Sequence, residues 1–122
     1  MNLERVFVYG TLKKGEIRND ILWDCDYLGP AATDPIFQMV TLGQFPGLIP
    51  GHRSIEGEVY EVPADVLGYL DLIEGHPHFF RRSQHEVWLD DDLSMDAWIY
   101  LLVDPELAIM PINQWPHEKE NL

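Results

Sequence analysis

Apolar and polar side chains alternate along most of the chain with the period of two that marks strands lying half in a core. The alternation predicts strands over residues 3–9, 27–33, 37–41, 54–62, 85–89 and 97–103, each bounded by Gly, Pro or Asp. In the first, Val6 and Val8 alternate with Phe7 and Tyr9, so both faces are apolar and burial on both sides is expected. After Pro63 the period changes. Val66, Leu67, Leu70 and Ile73 recur at the spacing of one helical face, Pro63 opens it where a missing amide proton costs nothing, and Gly75 closes it. The stretch "LDDDLSMDAW", residues 89–98, joins two apolar runs as a hairpin tip; "QFPGLIPG", residues 44–51, reads as a turn. The polar end beyond Trp115 is expected to fray. Many strands with one helix predict an α+β fold, and without repeats or linkers we expect one domain over residues 1–122.

A chain of this length buries a core without staples. Although 46% of residues are apolar, no run approaches a membrane span, and Glu4 and Arg5 stand where an apolar leader would begin. The expectation is a soluble, cytoplasmic protein. Cys25 is the single cysteine, which leaves no internal disulfide and no cysteine-based zinc site; it is expected as a small buried apolar side chain. Twenty-one acidic residues against eight basic ones give a formal charge of -13. Such a surface repels phosphate backbones and anionic lipid, so nucleic acid and membranes are poor partners, and a monomer or small homo-oligomer is expected. Lys13, Lys14 and Arg18 gather near one glycine-rich stretch and Arg81 and Arg82 form a second pair. These cations either hold a small anion or balance neighbouring carboxylates.

That stretch, "FVYGTLKKGE" at residues 7–16, has two glycines spaced as in a phosphate-binding loop. Such a loop needs Lys and then Ser or Thr after the second glycine, and here Glu16 and Ile17 follow Gly15, so nucleotide binding is rejected. What remains is an apolar strand running into Gly10, where backbone amides can lie open to a small ligand. The run Asp90, Asp91, Asp92 lacks the alternating ligands and central glycine of a calcium loop, and Ser54, Ser83 and Ser94 stand in no nucleophile turn. His76 and His78 with Glu74 have the makings of a metal trio, but "GHPH" is also an ordinary turn and no third histidine follows at a ligand spacing; no metal is expected. Glu74 ends the predicted helix. The helix's negative pole and the apolar neighbours Leu70, Leu72, Ile73, Phe79 and Phe80 would raise its pKa, whereas Arg81 or Arg82, if close, would lower it. The residues alone leave two readings open: a proton carrier, or a surface carboxylate beside a helix cap.

Three segments taken together, "VFVYGTLKKG" (6–15), "IEGEVYEVPADVLGYLDLIEG" (55–75) and "HPHFFRR" (76–82), resemble the γ-glutamylcyclotransferase-like superfamily, and most its γ-glutamylamine cyclotransferase branch. The resemblance implies a mixed β-barrel with short flanking helices, a small-molecule γ-glutamyl substrate and no cofactor. It implies that Tyr9, Gly10, Thr11 and Leu12 present backbone amides to the γ-glutamyl group, and that Glu74, the glutamate of the "LDxxEG" motif, is catalytic. The family pattern E-G-x-P-x-x-Y-x-R meets Phe80 at its tyrosine, so aromatic bulk stays and a hydroxyl is absent; Arg82 matches the arginine, in a supporting role. Asn19 stands one place late in the polar run after Gly15.

The implied reaction is intramolecular aminolysis, in which the substrate's α-amine attacks its own γ-amide and releases 5-oxoproline with an amine or amino acid. Folding the substrate on itself supplies proximity, and one carboxyl can serve as base and then acid. A catalytically silent protein that holds a small metabolite in the same pocket is the alternative, favoured by Phe80 and the altered loop. An interaction domain using the acidic surface is a third reading.

Overall fold

The computed structural model describes residues 2–116; the expected fraying beyond 116 lies outside the described residues. In chain order the elements are β1 (Leu3–Val8), a 3-10 turn (Asn19–Leu22), β2 (Asp26–Thr33), β3 (Phe37–Thr41), β4 (Pro46–Pro50), β5 (Glu56–Pro63), α1 (Ala64–Glu74), β6 (Phe80–Trp88), β7 (Ser94–Leu102), a second 3-10 turn (Pro105–Leu107) and β8 (Met110–Ile112). Five strands close into a barrel in the order β1-β5-β2-β6-β7. Every neighbouring pair is antiparallel except β1 and β7, which meet in parallel at Val6 and Trp98. The barrel is therefore mixed, as the three motif segments implied. A second sheet, β4-β3-β8, packs on it.

β1 is buried on both faces. Val6 and Val8 join Leu67 and Leu70 of the helix, while Phe7 and Tyr9 join Val59 and Ile99 of the barrel and Leu48 of the small sheet. One strand thus carries both halves of the core. α1 follows β5 directly from Pro63, whose extended backbone forms the helix N-cap. Among the described residues no helix is long and apolar enough to cross a membrane.

Three stretches differ from the pattern-based expectation. "QFPGLIPG" holds a strand, β4, rather than a turn: it pairs with β3 from Thr41–Pro46 to Phe37–Pro50, and its two prolines sit at the ends of an edge strand where a missing amide proton is tolerated. β6 begins at Phe80, five residues before the expected start, because Arg81 to Gln84 pair with β7 although all four are polar, Arg81 and Gln84 exposed and Arg82 turned to Asp71. β8 is three residues long and gives no periodic signal. The hairpin tip lies inside the expected one, with Leu89 donating to the Leu93 carbonyl and the Asp92 amide to the Asp90 side chain.

Closure of β1 onto β5 leaves no room at Gly57. A Cβ there would stand 2.4 Å from the Val8 carbonyl oxygen and 2.6 Å from the Phe7 ring. Gly57→Ala is expected to cost about 3 kcal/mol in urea unfolding. An unchanged midpoint would mean that these strands do not approach so closely.

Candidate active site

α1 ends at Glu74 in a closed cap. Gly75 takes φ 67°, its amide donates to the Leu72 carbonyl at 3.3 Å, and the His76 amide donates to the Asp71 carbonyl at 2.9 Å. This pair of bonds satisfies the last carbonyls and makes Glu74 the final helical residue. Its side chain faces a cavity of about 280 Å³ whose other wall is the loop Tyr9, Gly10, Thr11, Leu12. Phe45, Phe79 and Phe80 give the cavity an aromatic side, and Tyr100 and Arg18 complete the polar lining.

The loop is held by its carbonyls. The Lys13 amide donates to Gly10 at 3.1 Å, the Arg18 amide to Thr11 at 2.8 Å, and the Asn19 side-chain amide to Leu12 at 2.8 Å and to the Tyr60 hydroxyl at 3.0 Å. Asn19, displaced by one position from the family pattern, is a brace for the loop. None of the loop and turn hydrogen bonds among the described residues uses the amides of Gly10, Thr11 or Leu12. The main-chain donors on the cavity wall are therefore available to a ligand.

Below the cavity runs a chain of polar contacts. Asp71, one turn before Glu74, accepts from Arg82 at 2.8 and 3.1 Å and from the Tyr100 hydroxyl at 2.6 Å. The Tyr9 hydroxyl donates to the Tyr100 carbonyl at 2.7 Å. Arg82 stacks 4.2 Å over Trp98, and its amide donates to Nδ1 of His76 at 3.2 Å. Arg82 thus lies outside the cavity lining and pins the strand that follows the helix.

The two carboxylates on this turn of helix sit in opposite environments. Burial alone would raise Asp71, but the hydrogen bonds from Arg82 and Tyr100 overcome it and hold the group below its ordinary value. Glu74, half-buried, accepts no hydrogen bond from the described residues. Burial pushes its carboxyl from 4.5 up to about 7, with the Arg18 charge opposing the rise. Burial, and then the nearby Glu74 charge, raises the Tyr9 phenol. A carboxyl poised near neutrality thus stands three residues from one kept ionised.

The structure brings Tyr9, Gly10, Thr11, Leu12, Glu74 and Phe80 to one cavity. Phe80 is fully packed there, 5.0 Å from the Phe79 ring and 6.3 Å from Phe45, so its aromatic bulk is used. The two groups of cations do not form a patch. Lys13 reaches the Trp115 carbonyl, Lys14 lies over the Tyr27 ring, and of the five only Arg18 lines the cavity. Among the described residues no three His, Cys, Asp or Glu side chains gather as a metal site requires. Sequence reading missed Asp71 and Tyr100, and offered Arg18 only as one of a group of cations near the glycine loop. Asp71 had a signal, since it precedes Glu74 by three positions on one helical face; Tyr100 had none.

A small mixed barrel with a half-buried carboxyl facing a strand-end loop defines the class of protein. The chain belongs to the family described as "Gamma-glutamyl cyclotransferase, AIG2-like", whose sequence model matches residues 6–117. It is similar to a Vibrio cholerae protein named "Putative gamma-glutamylcyclotransferase", 41% identical over 96 residues and covering 79% of each chain. Among solved structures it is similar to an AIG2-like protein of Mus musculus, with TM-score 0.81 and 27% identity over 100% of this chain and 92% of that one. In fold alone it is similar to a solved "Gamma-glutamyl cyclotransferase", with TM-score 0.67 and 13% identity over 84% of this chain and 68% of the other.

The raised carboxyl has a stability consequence. Below the unfolded value of 4.5 Glu74 is protonated in both states and costs nothing; above about 7 it is ionised in both, and the folded protein bears the full penalty. Glu74→Gln is expected to match the parent at pH 4 and to be more stable by about 3 kcal/mol at pH 8, read by urea unfolding. Equal stability at both pH values would place the carboxyl in open water.

Proposed function

We propose that the protein is a γ-glutamyl cyclotransferase, of the γ-glutamylamine cyclotransferase type, with Glu74 as general base and then general acid. The observation that carries this reading is Glu74 at the helix end, facing the Tyr9 to Leu12 loop across one cavity with its carboxyl near 7. Membership of the family and the name of the Vibrio cholerae relative support it.

In this reading the γ-glutamyl group folds back in the cavity, so that its α-nitrogen lies against its own γ-carbonyl carbon. Ionised Glu74 takes a proton from the ammonium, and the freed amine forms the new C–N bond. The carbonyl oxygen, now negative, is held by amides of Gly10, Thr11 or Leu12. Collapse breaks the old C–N bond as Glu74 returns its proton to the leaving nitrogen; ionised again, Glu74 takes the second proton from the ring nitrogen and passes it to the released amine, giving 5-oxoproline and an ammonium with no net proton change. The Tyr9 hydroxyl is engaged with the Tyr100 carbonyl and plays a positioning part. No step calls for a metal or organic cofactor.

Release of 5-oxoproline from a panel of γ-glutamyl amines and amino acids tests the reading. Parent enzyme is expected to turn over, and Glu74→Gln to lose about 10²–10⁴-fold in kcat. The acid limb of kcat/KM should have its midpoint near 7, because the ionised form is the active one. Full activity in the variant would remove Glu74 from the chemistry. Binding across the panel without turnover would favour the silent metabolite-binding alternative that Phe80 first raised.

A further inference from the structure

Two phenols line the cavity, Tyr9 and Tyr100, since Phe80 brings no hydroxyl. They are not equivalent. The Tyr9 hydroxyl donates to the Tyr100 carbonyl at 2.7 Å, and the Leu48 backbone hydrogen-bonds to it as well, so that group is fully engaged. The Tyr100 hydroxyl donates its one proton to Oδ1 of Asp71 at 2.6 Å, and among the described residues nothing donates to its oxygen. A phenol whose proton is committed in this way can only accept. The residue is buried, and burial, followed by the Asp71 hydrogen bond, raises its pKa, so the proton stays on the oxygen. The contact has the length of a charge-assisted O–H···O⁻ bond, and polarisation by the anion makes the phenol oxygen a better acceptor. Asp71 stands one turn before Glu74, so the Glu74 carboxyl and an oxygen backed by Asp71 come to the cavity from the same helix end.

We propose that the substrate's α-ammonium binds between Glu74 and the Tyr100 hydroxyl oxygen, which accepts one of its N–H groups. Tyr100 is then a binding residue for the amine that attacks. An ammonium carries three donors, and leaving water is costly for it unless more than one acceptor replaces the solvent. The placement of the γ-glutamyl group rests on the cyclotransferase reading. In that reading two of the three protons leave through Glu74, and the one held by Tyr100 remains as the N–H of the new ring. The nitrogen thus stays oriented towards the carbonyl carbon after it has been freed.

Two ligands that cannot cyclise test the assignment. One is the γ-sulfonamide of γ-L-glutamyl-butylamine, with SO₂ in place of the γ-carbonyl; the other is the same molecule without its α-amine. Calorimetry at pH 8, where Glu74 is ionised, measures both. The parent protein is expected to bind the amine-bearing ligand more tightly, and Tyr100→Phe to cut that advantage by about 10-fold while the Kd of the other ligand changes by less than about twofold. This substitution keeps the ring and the main-chain carbonyl that Tyr9 uses. In turnover of γ-L-glutamyl-butylamine the variant should lose about 10-fold in kcat/KM. A parent indifferent to the amine, an advantage that survives Tyr100→Phe, or an equal loss with both ligands would overturn the assignment, the last because it marks a hydroxyl that only supports the fold. An advantage lost in the variant, with no turnover of any γ-glutamyl amide by the parent, would keep the ammonium site and remove the cyclotransferase reading. Turnover with an advantage that the variant retains would do the reverse.

Discussion

The Asp71 carboxylate accepts from Arg82 and Tyr100 at once, and through those side chains the last turn of α1 is tied to β6 and β7. Tyr100 passes the constraint on, because its carbonyl receives the Tyr9 hydroxyl from the end of β1. A helix end, two barrel strands and the cavity-lining loop are thus fixed by a few directed bonds around one anion. The worth of such a half-buried ion pair lies in geometry more than in net stability, since desolvation consumes much of the attraction. Without it the last turn of α1 would lose its side-chain hydrogen bonds to β6 and β7.

Charge is arranged on two scales. The chain as a whole is strongly negative, yet the Arg18 guanidinium lines the same cavity as a carboxyl that burial has brought near neutrality. The half-buried setting that brings the Glu74 carboxyl near neutrality also makes its charged form unwelcome to the fold. Asp71, three residues earlier on the same helix, shows what the molecule does with a carboxylate it needs for support: it surrounds it with donors. Glu74 has none among the described residues, so its protonation state stays adjustable.

How much of this could be read in the amino-acid order depended on the distance between interacting residues. The strand of alternating apolar residues around Phe7, the helix from Pro63 to Gly75 and the glutamate at its end all follow from neighbours a few positions apart. β4 was concealed because its prolines signal a turn, and only pairing to β3 shows them to be the ends of an edge strand. The first half of β6 was concealed by its run of polar side chains, Arg81 to Gln84. Arg18 was visible as a member of a basic cluster, but Lys13 reaches the Trp115 carbonyl and Lys14 the Tyr27 ring, while Arg18 lines the cavity. The part of Tyr100 was beyond reach, since nothing near it in sequence points to Asp71 or Tyr9.

The parallel contact of β1 with β7 closes the barrel between the chain's beginning and a strand formed far later, and the Tyr9 to Tyr100 bond that accompanies it spans 91 residues. Assembly that depends on so distant a pairing places such folds among the slower ones. A nascent chain that has already emerged past Glu74 carries every residue of the glycine loop and the glutamate, and still has no cavity. The pocket comes into being with the final turn of the barrel, which makes ligand binding a report on complete folding rather than on the presence of its motifs.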